Sequence, residues 1–112
     1  MRRLLATLLI TLAATAVSAK PGEGARFNAW LDATWEETLI RSPILATLIG
    51  DSRYNDRIVD FTTAAWRADN RRFLERQLRE LQRFDRKALV GQDRLSYDIL
   101  KYDLTQSIEA ER

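Results

Sequence analysis

Residues 41–60, RSPILATLIGDSRYNDRIVD, hold a helix start, a helix stop and a charged loop within one short stretch. Ser42-Pro43 reads as an N-cap followed by proline at the first helical position, where its missing N–H has no partner to lose. A short helix follows, predicted over 43–49. Gly50 is placed to end it in a left-handed conformation, which a residue without Cβ adopts freely. Asp51 to Asp60 then reads as a loop in which acids alternate with Arg53 and Arg57.

On either side of this stretch the apolar residues recur at helical spacing. Upstream, Phe27, Trp30, Leu31, Trp35 and Leu39 place an amphipathic helix over 26–41. Downstream, Thr62 or Thr63 is the expected cap of a long third helix reaching about Arg86. Its predicted core stripe is Trp66, Phe73, Leu74, Leu78, Leu81 and Phe84. Gly91 marks a turn. A fourth helix opens at Gln92, with Leu95, Ile99 and Tyr102 on one stripe and Tyr97, Leu100, Leu104 and Ile108 on the next. That apolar face is wider than one neighbouring helix covers. No stretch reads as a strand. The expectation is an all-α fold, a small antiparallel bundle of about four helices. The unpartnered face and the lack of a stop signal after Ile108 point to an incomplete part of a larger helical protein.

The first nineteen residues read differently. Arg2 and Arg3 precede an apolar run from Leu4 to Val17, and Val17-Ser18-Ala19 offers a cleavage site before Lys20. This is the pattern of a secretory signal peptide cut between Ala19 and Lys20. The run falls short of the ~20 apolar residues that span a bilayer. With no cysteine in the chain there is no lipoprotein anchor, so the expected product is periplasmic or secreted and meets the membrane through the uncleaved signal alone. Residues 20–25, KPGEGA, form the expected linker, leaving 26–112 as the helical region.

Export changes the charge balance. The chain has 18 basic and 16 acidic residues, and two of the arginines belong to the signal, so the remainder carries sixteen of each sign. A nucleic-acid partner is not expected of such a chain. With no cysteine, helix packing alone must hold this small chain together.

The absence of histidine and cysteine excludes serine and cysteine triads and His/Cys zinc sites. Asp32 and Glu36 share a face of the first helix at a spacing of four, which suits either a hard cation or two solvated charges. No second carboxylate pair frames them, so a carboxylate-only enzyme such as a glycosidase finds no support. In the loop, Asp51, Asn55, Asp56 and Asp60 do not follow the calcium-loop pattern, and the intervening arginines favour a structural ion-pair clasp. The candidate loop residues, structural or cleft-lining, are Asp51, Arg53, Tyr54, Asp56, Arg57 and Asp60. The third helix carries eight basic and four acidic residues from Arg67 to Lys87. Arg71–Glu75, Glu75–Arg79 and Arg76–Glu80 are all spaced for pairing, which describes a salt-bridged solvent face with anionic-surface binding as the lesser reading. Asp98 is spaced to pair with Arg94 or Lys101.

With Trp35, Ser42-Pro43, Ala46-Thr47, Gly50-Asp51, Arg53-Tyr54, Asp56-Arg57 and Asp60, and after the long helix Asp93-Arg94-Leu95-Ser96-Tyr97-Asp98, the chain resembles a known group. From about Phe27 onward it is similar to the N-terminal part of the bacterial "domain of unknown function 885" family. The resemblance implies a longer, exported, mostly helical protein. Longer members carry an HExxH motif downstream, in which two histidines one turn apart hold zinc and the glutamate activates water. None of those residues exists here, so no catalytic or metal residue is carried over, and no cofactor is expected of this chain. The implied partner is a catalytic C-terminal part. The alternative is a standalone periplasmic module that binds a protein through the exposed apolar face of its last helix.

Overall fold

The computed structural model describes residues 21–111; the expected signal peptide and its Ala19–Lys20 cleavage site lie outside them. Every regular element among the described residues is helical. The long helices are α1 (Glu23–Arg41), α3 (Ala64–Leu81) and α4 (Gly91–Ala110), and the short α2 (Pro43–Leu48) is followed by one 3-10 turn at Ser52–Tyr54.

Helix α1 begins three residues earlier than the sequence suggested, so the expected linker of residues 20–25 is shortened. Glu23 explains the early start. As the first helical residue it complements the positive N-terminal dipole. Its carboxylate also accepts from Arg26 and, at 2.7 Å, from the backbone N–H of Asp85. A tertiary contact thus holds the first turn.

The polar pairs between helices give their directions. Trp30 donates to Glu80 at 2.9 Å, Thr34 to Gln77 at 3.0 Å and Arg41 to Asp69 at 2.7 Å, so α1 runs antiparallel to α3. Asn70 reaches Glu111 near the end of α4, which sets α4 antiparallel to α3 as well. Asn28 on α1 reaches Asp93 on α4 at 3.0 Å. Helices α1 and α4 therefore lie parallel to each other across α3, close at their N-terminal ends.

The main core sits at that closed end. Phe27, Leu81, Leu89, Tyr97 and Leu104 are buried, with Trp30, Leu31, Leu74, Leu78, Phe84 and Leu100 packed around them. Phe27 meets Phe84 edge-on at 5.4 Å between ring centroids, and Trp30 lies 5.5 Å from the same ring. Full burial of an aromatic of this size contributes about 1.5–3 kcal/mol. A smaller cluster of Leu39, Ala46 and Tyr54 joins α1, α2 and the 3-10 turn.

Three details depart from the sequence reading. Helix α3 ends at Leu81 rather than near Arg86. The N–H groups of Arg83 and Phe84 bond three residues back, tightening the chain, and the Asp85 carboxylate then accepts from the N–H of Lys87 at 2.9 Å. This exit turns Phe84 into the Phe27–Trp30 cluster. Trp66 leaves the expected core stripe and packs edge-on against Phe61 at 5.4 Å. Ser42 makes no side-chain cap, and its carbonyl instead accepts from Ala46. The third cap is as expected, with Thr63 Oγ1 accepting from the N–H of Trp66 at 3.1 Å. Gly50 ends α2 at φ +86°.

Pairing on the surface also differs in part. Arg71–Glu75 and Arg76–Glu80 form at 3.0 and 3.6 Å, but Glu75 does not pair with Arg79. Asp98 pairs neither with Arg94 nor with Lys101. Both of its oxygens accept from Arg86 at 2.6 Å, while Arg94 donates to the carbonyls of Leu89 and Lys87. These backbone carbonyls, left without helical partners by the early end of α3, draw Arg94 away from Asp98.

Candidate functional site

The loop after α2 closes on α1. Asp51 accepts from the backbone N–H of Arg53 at 3.1 Å and from its guanidinium at 2.7 Å. The remaining prongs of that guanidinium reach both oxygens of Glu36 at 2.9 and 3.0 Å, a fork-on-fork geometry that fixes direction as well as distance. Tyr54, buried against Leu39 and Ala46, donates its phenolic hydrogen to the same Glu36 carboxylate. The guanidiniums of Arg53 and Arg57 each lie 5.2 Å from the centre of the Tyr54 ring. Thr47 donates to Asn55 at 2.7 Å and ties the turn back to α2.

Of the candidate loop residues, Asp51, Arg53, Tyr54 and Arg57 converge. Asp60 stands apart: it accepts from the N–H and hydroxyl of Thr62 just before α3. Asp56 is exposed and forms no ion pair with any described residue. The expected Asp–Arg alternation therefore yields one pair, Asp51–Arg53, anchored on a residue outside the loop. By spacing alone Glu36 is matched with Asp32 on α1. The signal that would have tied it to the loop is the run of a basic and a phenolic residue at Arg53-Tyr54, which can serve one carboxylate together.

The electrostatics define what this cluster does. Hydrogen bonds from Arg53 and then Tyr54 hold the Glu36 carboxyl below its ordinary range. The Arg53 side chain and backbone do the same for Asp51. Bonding to Glu36 pushes the Tyr54 phenol up. Here the carboxyls move down and the phenol up, the directions expected of groups bonded to one another in a shared cluster. The cluster is a clasp between loop and helix.

A second feature is an open groove of about 460 Å³ where α1 and α4 diverge over α3. Its walls are Leu31 and Trp35 of α1 and Leu100 and Leu104 of α4, and its floor is Phe73, Leu74 and Gln77. Trp35 remains 50% exposed in it. Asp32 opens onto this groove, while Glu36 belongs to the clasp, so the two do not meet around a shared ligand. Beyond the groove, Leu95, Ile99 and Tyr102 are 52%, 58% and 69% exposed, as expected of an apolar face too wide for its neighbour.

Among the described residues no group of three or more Asp, Glu, His or Cys is placed to hold a metal. No described helix is long and apolar enough to cross a membrane.

Fold and clasp together define an all-helical module with an apolar groove among the described residues. The family model described as "bacterial protein of unknown function (DUF885)" matches residues 43–112, and the chain belongs to that family. The match takes in the loop, α3 and α4. No curated protein and no solved structure matches the chain.

Proposed function

We propose that this chain is a non-catalytic, helical part of an exported, zinc-peptidase-like protein, and that its groove is the surface covered by the rest of that protein. The observation that carries this reading is the groove itself. An apolar hollow floored by Phe73 and Leu74 with a half-exposed tryptophan is a surface that water solvates poorly. In the assembled protein, α1 and its clasped loop would form one wall of the substrate cleft. Export rests on the N-terminal pattern around Arg2, Arg3 and Ala19.

The test is the gene beyond codon 112. A frame that continues into an HExxH segment supports the reading, and a stop followed by unrelated sequence overturns it. The exposure of Leu95, Ile99 and Tyr102 favours a second reading, a standalone module that binds a protein through the outer face of α4. A soluble chain that unfolds cooperatively as a monomer supports that second reading.

A further inference from the structure

On the side of α1 away from the groove lies a hollow of about 300 Å³, lined by Arg41 of α1 and by Asp69, Arg72, Phe73, Glu75, Arg76 and Arg79 of α3. Four guanidiniums face two carboxylates. Both carboxylates are already engaged, Asp69 by Arg41 at 2.7 Å and Glu75 by Arg71 at 3.0 Å. The four cations are unevenly used: Arg76 pairs with Glu37 and, at 3.6 Å, with Glu80, both outside the hollow's lining, whereas the other three keep spare donors. Arg72 reaches Asp69 only at 3.4 Å, and Arg79 forms no ion pair with any described residue. Arg41 stacks on Phe73 at 4.5 Å, and its buried Nε has no acceptor. A buried donor without a partner carries a desolvation penalty, so this guanidinium is held in place by its stacking on Phe73 and its bond to Asp69 rather than fully hydrogen-bonded.

The spacing of the arginines matters as much as their charge. Arg72, Arg76 and Arg79 fall at i, i+4 and i+7, on one stripe of α3, and Arg41 approaches from the other helix. A surface arginine stripe solvated on every side would have the same composition without the hollow. Here the guanidiniums approach a common space from two helices over an aromatic floor. Guanidinium forks match phosphate oxygens in several directions at once, whereas a carboxylate presents acceptors in a single plane.

We propose that this hollow binds a phosphate group, either as the free ion or at the end of a small organic monoester. The site shares Phe73 with the groove but no other lining residue, and it does not rest on any peptidase chemistry.

The full chain, titrated with inorganic phosphate and separately with phenyl phosphate at constant ionic strength, provides the test, read on arginine Nε–H signals by NMR. Saturable shifts are expected at Arg41, Arg72, Arg76 and Arg79, with Arg79→Ala weakening binding about tenfold. Arg83→Ala, outside the hollow, should leave binding unchanged. Tighter binding of phenyl phosphate identifies a monoester, and equal binding identifies the free ion; both support the site. Shifts that grow without saturation, or an equal loss in Arg79→Ala and Arg83→Ala, would mark unspecific screening and overturn it. If Arg79→Ala loses its helical circular dichroism, Arg72→Gln carries the same comparison.

Discussion

Tyr54, in the loop after α2, donates its phenolic hydrogen to Glu36 on α1, eighteen positions away in sequence. The bond closes the small cluster of Leu39, Ala46 and Tyr54 on its polar side. Tyr54→Phe keeps the packing and removes the donor, so the loop should loosen while the helices stay formed. Hydrogen exchange is the measurement: faster exchange at residues 51–57 with unchanged protection in α3 and α4 is expected. Uniformly faster exchange would show that the contact supports the whole fold instead.

Acid should open the same clasp. Glu36 and Asp51 titrate below their ordinary values of 4.5 and 3.8 in the folded chain. Their stabilisation is therefore complete above those values and is lost as pH falls through the lowered, folded ones. Tyr54 has the opposite sign. Its phenol is raised from 10.0, so its contribution is complete below that value and disappears as pH rises through the folded one. The urea midpoint should fall on acidification, and the fall should be shallower in the doubly neutral Glu36→Gln, Asp51→Asn variant. A variant as acid-sensitive as the parent would place the acid response elsewhere.

Phe27 and Ile99 are both large apolar residues on amphipathic helices, yet they should respond differently to truncation. Phe27 is fully buried, and Phe27→Ala should cost about 3–5 kcal/mol in denaturant unfolding. Ile99 is 58% exposed, and Ile99→Ala should stay within about 0.5 kcal/mol. A large loss at Ile99 in the isolated chain would mean that the outer face of α4 is already covered in solution, as by a second copy.

Gly50 ends α2 at φ +86°, and a Cβ added there meets no atom within 4 Å. Any penalty for Gly50→Ala is therefore a backbone penalty, expected at about 1–2 kcal/mol. Asparagine, which tolerates the left-handed region better, should recover part of it. Thermal denaturation of the two variants checks the order.

Thr63 caps α3 through its hydroxyl, while Ser42 caps nothing with its own. Thr63→Ala should lose about 1 kcal/mol. Ser42→Ala should be close to neutral, because the bonds that use Ser42 run through its backbone. Equal effects at the two sites would contradict the cap geometry.

The helices were legible from periodicity because local spacing carries that signal. Leu39, Phe73, Leu81, Tyr97, Leu104 and Ile108 are buried where their stripes put them. Contacts between distant segments were not legible. Arg86 and Asp98 pair across a connection whose shape depends on where α3 stops. The same connection is held by Glu23, sixty-two positions from Asp85. Leu89 is nearly fully buried yet lies between two helices, where no repeat marks it. In the candidate loop the sequence showed the arginines and acids but not Glu36, because an i,i+4 reading pairs a helical acid with its own helix. The groove was not legible either: periodicity puts Trp35 on the core stripe of α1, and its half exposure depends on how α1 and α4 diverge over α3.

Gln77 is 2% exposed, a polar residue in the interface of α1 and α3. Its amide accepts from Thr34 and faces Glu37, which also receives Arg76. If α1 slid along α3 by one turn, about 5.4 Å, that amide would be parted from both Thr34 and Glu37. Gln77 thus acts as a key in a lock, holding the two helices at one setting. Among the described residues no buried polar side chain sits between α1 and α4 at the groove, so that seam carries no comparable mark of register.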